Sequence, residues 1–169
     1  MKEPKISETG YEKILKELYH HKIRYLIVGG VALNLYNINR FTADLDLMLG
    51  FDNQNVLEFV KVMNAFRYRP RAPVKPEEFA NPKKREILRK QKDATVFTFA
   101  ADSPSFPSID IFLFHPIDFD RAYRRRRTVR GGSYDISVIS PRDLLKLKMI
   151  AGRDQDKMDI KRMKEEMDL

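Results

Sequence analysis

Asp44-Leu45-Asp46-Leu47 is the stretch of this chain whose residue types and spacing point most directly to chemistry. Side chains alternate along a strand, so Asp44 and Asp46 share one face while Leu45 and Leu47 enter the core from the other. Two carboxylates one strand repeat apart repel each other unless a cation lies between them. Hard oxygen ligands of this kind suit Mg²⁺ or Mn²⁺, which keep waters and share their coordination with substrate phosphates. The plainer reading is a solvated strand edge. A third carboxylate, Asp110, lies inside the apolar run Ile109-Asp110-Ile111-Phe112-Leu113. A charge there is costly unless it is paired, bound to a metal, or turned to the solvent face of a half-exposed sheet.

Other residues fall where a phosphate would need them. Gly29-Gly30 closes a β-rich run ahead of a helical segment, a place where backbone comes close to phosphate and helical N–H groups stand unpaired. Arg40 and Thr42 just precede the two aspartates and offer a cation and a hydroxyl. Lys148 falls within the apolar stripe Leu144, Leu147 and Ala151, whereas Lys146 points the opposite way. A lysine so placed either snorkels to solvent or meets a buried anion. Asp156 is expected to pair with Arg153 or Lys148 rather than to act in catalysis. His20 and His21 suit a helix C-terminus, and His115 has no partner at metal-ligand spacing, so a structural role is expected for it.

The elements that must hold these residues can be read from periodicity. Ser7 to His21 repeats apolar residues at helical spacing, with Tyr11, Ile14, Leu15 and Leu18 inward. Residues 23–28 read as a strand, Val31 to Tyr36 as a helix, 44–49 as a strand, and Asn53 to Phe66 as a helix burying Val56, Leu57, Val60 and Met63. From Arg67 to Asp93 prolines and basic residues dominate, which predicts a loop and then a short exposed helix started by Asn81-Pro82. Strands at 94–100 and 108–114 form a hairpin-like pair, and a short helix near 117–124 leads into Arg124 to Arg127. After the Gly131-Gly132 turn come a strand at 134–139 and a helix opened by Ser140-Pro141. That helix ends at Ala151, and a last one begins about Asp154. The arginine run suits either RNA phosphates or a charged strand edge that deters aggregation.

With 169 residues, 43% of them hydrophobic and 33% charged, the chain is expected to fold as one domain, residues 1–169, with a basic Pro-rich insertion at about 67–93. No apolar run approaches the roughly 20 residues of a membrane span, and Met-Lys-Glu-Pro-Lys lacks the apolar region of a signal peptide. The absence of cysteine excludes thiol nucleophiles, disulfides and Cys-ligated zinc. A cytoplasmic location is expected. A net charge of +8, gathered in clusters, favours polyanionic partners.

Taken in order, Gly29-Gly30, Thr42-x-Asp44-x-Asp46 and the later strand with Asp110 resemble the DNA polymerase β-type nucleotidyltransferase superfamily. Asp143 to Lys148, then Ala151-Gly152-Arg153, Asp156 and Asp159, resemble the minimal nucleotidyltransferases and the abortive-infection, toxin-type branch. The likeness spans about residues 24–160. It implies an α+β nucleotidyltransferase fold: a mixed twisted sheet flanked by helices, with further helices at the C-terminus. It implies metal-dependent transfer of an NMP group from an NTP such as ATP to an acceptor hydroxyl, with release of pyrophosphate. Asp44, Asp46 and Asp110 would be catalytic and hold two Mg²⁺ or Mn²⁺ ions; Gly29, Gly30, Arg40, Thr42 and Lys148 would bind the nucleotide. The acceptor would be RNA or tRNA, a protein or a small molecule, and a toxin-type chain would have a cognate antitoxin. Two alternatives stand beside this: a toxin component on the same scaffold, and a non-catalytic nucleotide- or RNA-binding module. Retention of all three aspartates argues against the module.

Overall fold

The computed structural model describes residues 10–92 and 94–169. Its frame is a seven-stranded mixed sheet. In chain order the strands are β1 (Tyr25–Ile27), β2 (Asp44–Leu49), β3 (Tyr68–Pro70), β4 (Val96–Ala101), β5 (Ser108–Phe112), β6 (Arg127–Arg130) and β7 (Asp135–Val138). Across the sheet they lie in the order β3-β4-β5-β2-β1-β7-β6. β2 runs parallel to β5 and β1 parallel to β7, while the other neighbours are antiparallel. The helices are α1 (Gly10–His20), α2 (Gly29–Leu35), α3 (Asn53–Ala65), α4 (Pro82–Lys92), α5 (Phe119–Arg124), α6 (Pro141–Ala151) and α7 (Asp154–Glu166). This is the mixed α+β architecture expected, including the two C-terminal helices. The expected start of α1 at Ser7 lies outside the described residues.

Burial explains the elements. Leu45 and Leu47 of β2 are fully buried, while Asp44 and Asp46 on the alternate positions are only partly so. On α1, Ile14, Leu15 and Leu18 enter the core, and the helix packs against β7 and α3. On α3 the buried apolar residues are Val56, Phe59, Val60, Val62 and Met63; Leu57, expected inside, is 43% exposed. Phe59 extends the i, i+3, i+4, i+7 pattern, so it and not Leu57 lies on the buried stripe. α3 starts where Asp52 accepts a hydrogen bond from the Asn55 N–H, and α6 where Ser140 accepts one from the Asp143 N–H. Gly152, at φ 62°, ends α6 in the left-handed region.

Three expectations need correction. The segment expected as a loop from Arg67 begins with edge strand β3, whose Tyr68 is fully buried and donates its hydroxyl to the Pro107 carbonyl at 2.7 Å. Pro70 is tolerated there because an edge strand has one side free of ladder bonds. Phe79, from a 3₁₀ turn at Pro76–Ala80, is also fully buried. Arg85 of α4 is drawn in as well: its guanidinium lies 4.3 Å from the Phe51 ring centre and donates to the Phe79 carbonyl at 2.7 Å. Second, the charged strand edge, one of the two readings of the arginine run, is present for only part of it. Arg125 makes two hydrogen bonds to buried Asp143, Arg126 stacks on Tyr123, and Arg127–Arg130 form the outer strand β6, a charged sheet edge. Third, α2 starts at Gly29 rather than Val31, so both glycines belong to its first turn.

Candidate active site

Strand register brings the carboxylates together. Asp46 of β2 lies directly opposite Asp110 of parallel β5, and Asp44 opposite Ser108. Adjacent strands are about 4.8 Å apart, so Asp46 and Asp110 are side by side on one face, with Asp44 one repeat along. All three line an open cleft of about 590 Å³. Thr98, opposite Asp110 on β4, donates its hydroxyl to Asp110 Oδ1 at 2.6 Å. Burial, then the charges of Asp110 and Asp44, push the Asp46 carboxyl up to about 7, against the pull of Arg153 and Lys148. Burial also raises Asp110, partly offset by the Thr98 hydrogen bond. The Tyr11 hydroxyl donates to the Ala43 carbonyl at 3.2 Å, and burial followed by the nearby Asp44 and Asp46 charges raises it.

The glycines make room for these groups. Gly29 has φ +65°, and a Cβ there would overlap the Asp46 carboxylate. A Cβ on Gly30 would stand 2.8 Å from the Thr42 Cβ. The pair therefore lets β2 and the segment before it press against the end of β1. Thr42 donates to the Asp44 carbonyl at 3.2 Å, which leaves its oxygen free to accept. Asn34 clamps the backbone of Arg40, accepting from its N–H at 2.6 Å and donating to its carbonyl at 2.8 Å.

Behind the carboxylates lies a buried cluster of alternating charge. Lys148, next to buried Leu144 and Leu147, places Nζ 2.7 Å from Asp159 Oδ2 and 3.5 Å from Asp156 Oδ1. Ala151, expected in the same stripe, is exposed at the helix end. Asp156 pairs with Lys148 and also accepts from Arg153 Nε at 2.7 Å, so both expected partners are present. Burial pushes Asp156 upward, yet the Arg153 and Lys148 contacts hold it below its ordinary value. Arg40 Nε approaches Asp159 Oδ1 to 3.4 Å and, buried, has no hydrogen-bond partner. Residue patterns gave Asp159 and Arg153 no separate role, though the signal was there. Asp156 and Asp159 lie three apart on one helix face, opposite a lysine in an apolar stripe. His115 is structural: it stacks on Phe51 with centroids 4.2 Å apart, and its Nε2 lies 2.8 Å from the Leu49 carbonyl.

The donors facing the cleft fit a hard divalent cation. They are all oxygen, and while burial is the main cause that raises Asp46, the neighbouring Asp110 and Asp44 charges add to it, a part that a bound cation would offset. Among the described residues no three His, Asp or Glu side chains form a ready-made ligand set. Magnesium asks for less, one or two carboxylates joined by water and substrate phosphate. Also among the described residues, no helix is long and apolar enough to cross a membrane.

Solved structures share this fold. A Thermotoga maritima protein described as a nucleotidyltransferase superposes with a TM-score of 0.54 at 13% identity, over 90% of this chain and 88% of the other. An antigenic nucleotidyltransferase-like protein from Paracoccidioides brasiliensis gives 0.51 at 18% identity, over 90% and 72%. No curated protein matches the chain. The family model of the nucleotidyl transferase AbiEii toxin, from type IV toxin–antitoxin systems, matches residues 13–166, and the chain belongs to that nucleotidyltransferase family.

Proposed function

We propose that the cleft transfers an NMP group from an NTP to an acceptor hydroxyl in a reaction that depends on divalent metal, with Asp44, Asp46 and Asp110 as its catalytic carboxylates. The observation that carries this reading is the Asp46–Asp110 register on parallel strands, with Asp44 on the same face. Two Mg²⁺ or Mn²⁺ ions, when bound, neutralise phosphate charge and lower the pKa of the acceptor hydroxyl. Asp44 and Asp46 would hold them. Asp110, fixed by Thr98, joins as a ligand or takes the proton of the acceptor hydroxyl. Gly29 and Gly30 admit the β- and γ-phosphates close to backbone N–H groups, while Thr42 and Arg40 flank them. Lys148 has three N–H donors; two are directed at Asp159 and Asp156, which leaves one for a phosphate oxygen. The acceptor oxygen attacks the α-phosphorus in line, the bond to the bridging oxygen breaks, and pyrophosphate leaves with the electron pair. Positioning and charge neutralisation carry most of such a reaction.

The acceptor is a hydroxyl of RNA or tRNA, of a protein or of a small molecule, and the toxin family makes a cognate antitoxin the expected partner. The test is incubation of purified protein with each α-labelled NTP, Mg²⁺ or Mn²⁺, and cell extract or total RNA. Label should enter an acceptor pool, and Asp44→Ala should reduce the rate at least about 10³-fold with the fold intact. Wild-type rates in that variant would remove Asp44 from the chemistry. Binding of nucleotide without pyrophosphate release under any condition would make the protein a binding module.

A further inference from the structure

We infer that the apolar wall formed by Phe112, Val96, Phe114 and Ile150 is the seat of the nucleobase of the NTP, an assignment that rests on the nucleotidyltransferase reading above. On the cleft face of β4 and β5 the pair Thr98–Asp110 is followed by the pair Val96–Phe112. Two residues along a strand advance about 7 Å, so an aromatic ring stands one step beyond the carboxylate row. One ribose separates the α-phosphate of a nucleotide from its base, a step of the same order. Phe112 and Phe114 are half-buried, line the same cleft as Asp46, and among the described residues neither ring pairs with another aromatic ring. Phe114 is braced by the Arg89 guanidinium, 4.2 Å from its centroid, which gives the basic helix α4 a role at the site. Ile150, on the α6 side of the cleft, is 59% exposed and so available to a ligand.

Order across the sheet sets the direction. Gly29 and Gly30 follow β1, the carboxylates stand on β2 and β5, and Phe112 and Val96 of the apolar wall on β5 and β4, and these strands are consecutive neighbours. A triphosphate at the glycines and an α-phosphorus at the carboxylates place the base on that wall. A planar ring stacked there needs no particular hydrogen-bond pattern, since every base has a π-face.

The test compares binding of each NTP and of inorganic tripolyphosphate, both with Mg²⁺, to wild type, Phe112→Ala and Phe112→Tyr. Phe112→Ala should weaken the best-bound NTP about tenfold, as the loss of one base–aromatic stack does, and leave tripolyphosphate unchanged. Phe112→Tyr should retain wild-type NTP affinity. Unchanged NTP binding in Phe112→Ala overturns the assignment, and if the KM of the acceptor rises instead, the wall belongs to the acceptor. Equal loss of tripolyphosphate overturns it too, since the ring then supports the phosphate site. Wild-type protein that binds neither ligand would remove the nucleotide site itself, a failure distinct from the others.

Discussion

Gly29 and Asp46 depend on each other: the one lacks a side chain where the other brings its carboxylate. Gly29→Ala is therefore expected to abolish transfer. A methyl group must displace Asp46, and the left-handed φ adds about 1–2 kcal/mol of strain; activity and denaturant unfolding read the two effects. The raised Asp46 carboxyl has a pH consequence. Its folded value is about 7 against an ordinary 3.8, so between those limits the native state binds more protons than the unfolded chain. Stability then falls as pH rises through this window and levels off above it. His115, lowered by burial and by Arg85, slopes the other way near 6.5. The difference between wild type and Asp46→Asn isolates the carboxylate: without divalent ions, wild type should lose melting temperature relative to the variant from pH 5 to 7. A pH-independent difference would contradict the burial assigned to Asp46. Asp44, Asp46 and Asp110 were legible as candidates because each breaks an apolar strand pattern. Their alignment was not, since a sequence carries no register between strand residues 64 positions apart, as Asp46 and Asp110 are.

Helices α6 and α7 are joined by charge as well as by packing. Asp159, 2% exposed, has Lys148 on one oxygen and Arg40 and Gln155 near the other. Asp159→Ala should cost about 3–5 kcal/mol in urea unfolding, because it leaves buried cations short of a partner. Adding Lys148→Met to that variant should cost less than the sum of the two single changes; strict additivity would show that the groups do not interact. Periodicity revealed α1, α3 and α6, whose apolar residues recur every three to four positions, and Ser140-Pro141 marked the start of α6. It passed over β3 and β6, three and four residues long. Each is a short sheet edge: β3 buries Tyr68 alone and β6 buries none of its four residues, too little for a period-2 pattern to show. Segment 67–93 misled for a related reason: its surface is basic and Pro-rich, and its contribution to the core comes through the single side chains Tyr68, Phe79 and Arg85.

At the scale of the molecule, one sheet and the helices packed on it collect the site. Asp46 and Asp110 stand within the neighbouring strands β2 and β5, Gly29 opens α2 just after β1, and α6 and α7 close the far side with Lys148, Asp156 and Asp159. Residues 1–169 are proposed to act as one folding unit, so a cut in segment 67–93 should lower the melting of the whole chain rather than release an independent piece. The family predicts a phenotype: expression should arrest growth, Asp44→Ala should not, and the cognate antitoxin should restore growth to cells carrying wild type. Arrest by the Asp44→Ala chain would separate toxicity from nucleotide transfer. The shared carboxylate site is tested most directly by a crystal soaked in Mn²⁺ with a non-hydrolysable NTP, read by anomalous scattering. Manganese peaks bridging Asp44, Asp46 and Asp110, next to the α-phosphate, are the predicted result. Nucleotide bound elsewhere, with no manganese at these three side chains, would contradict it.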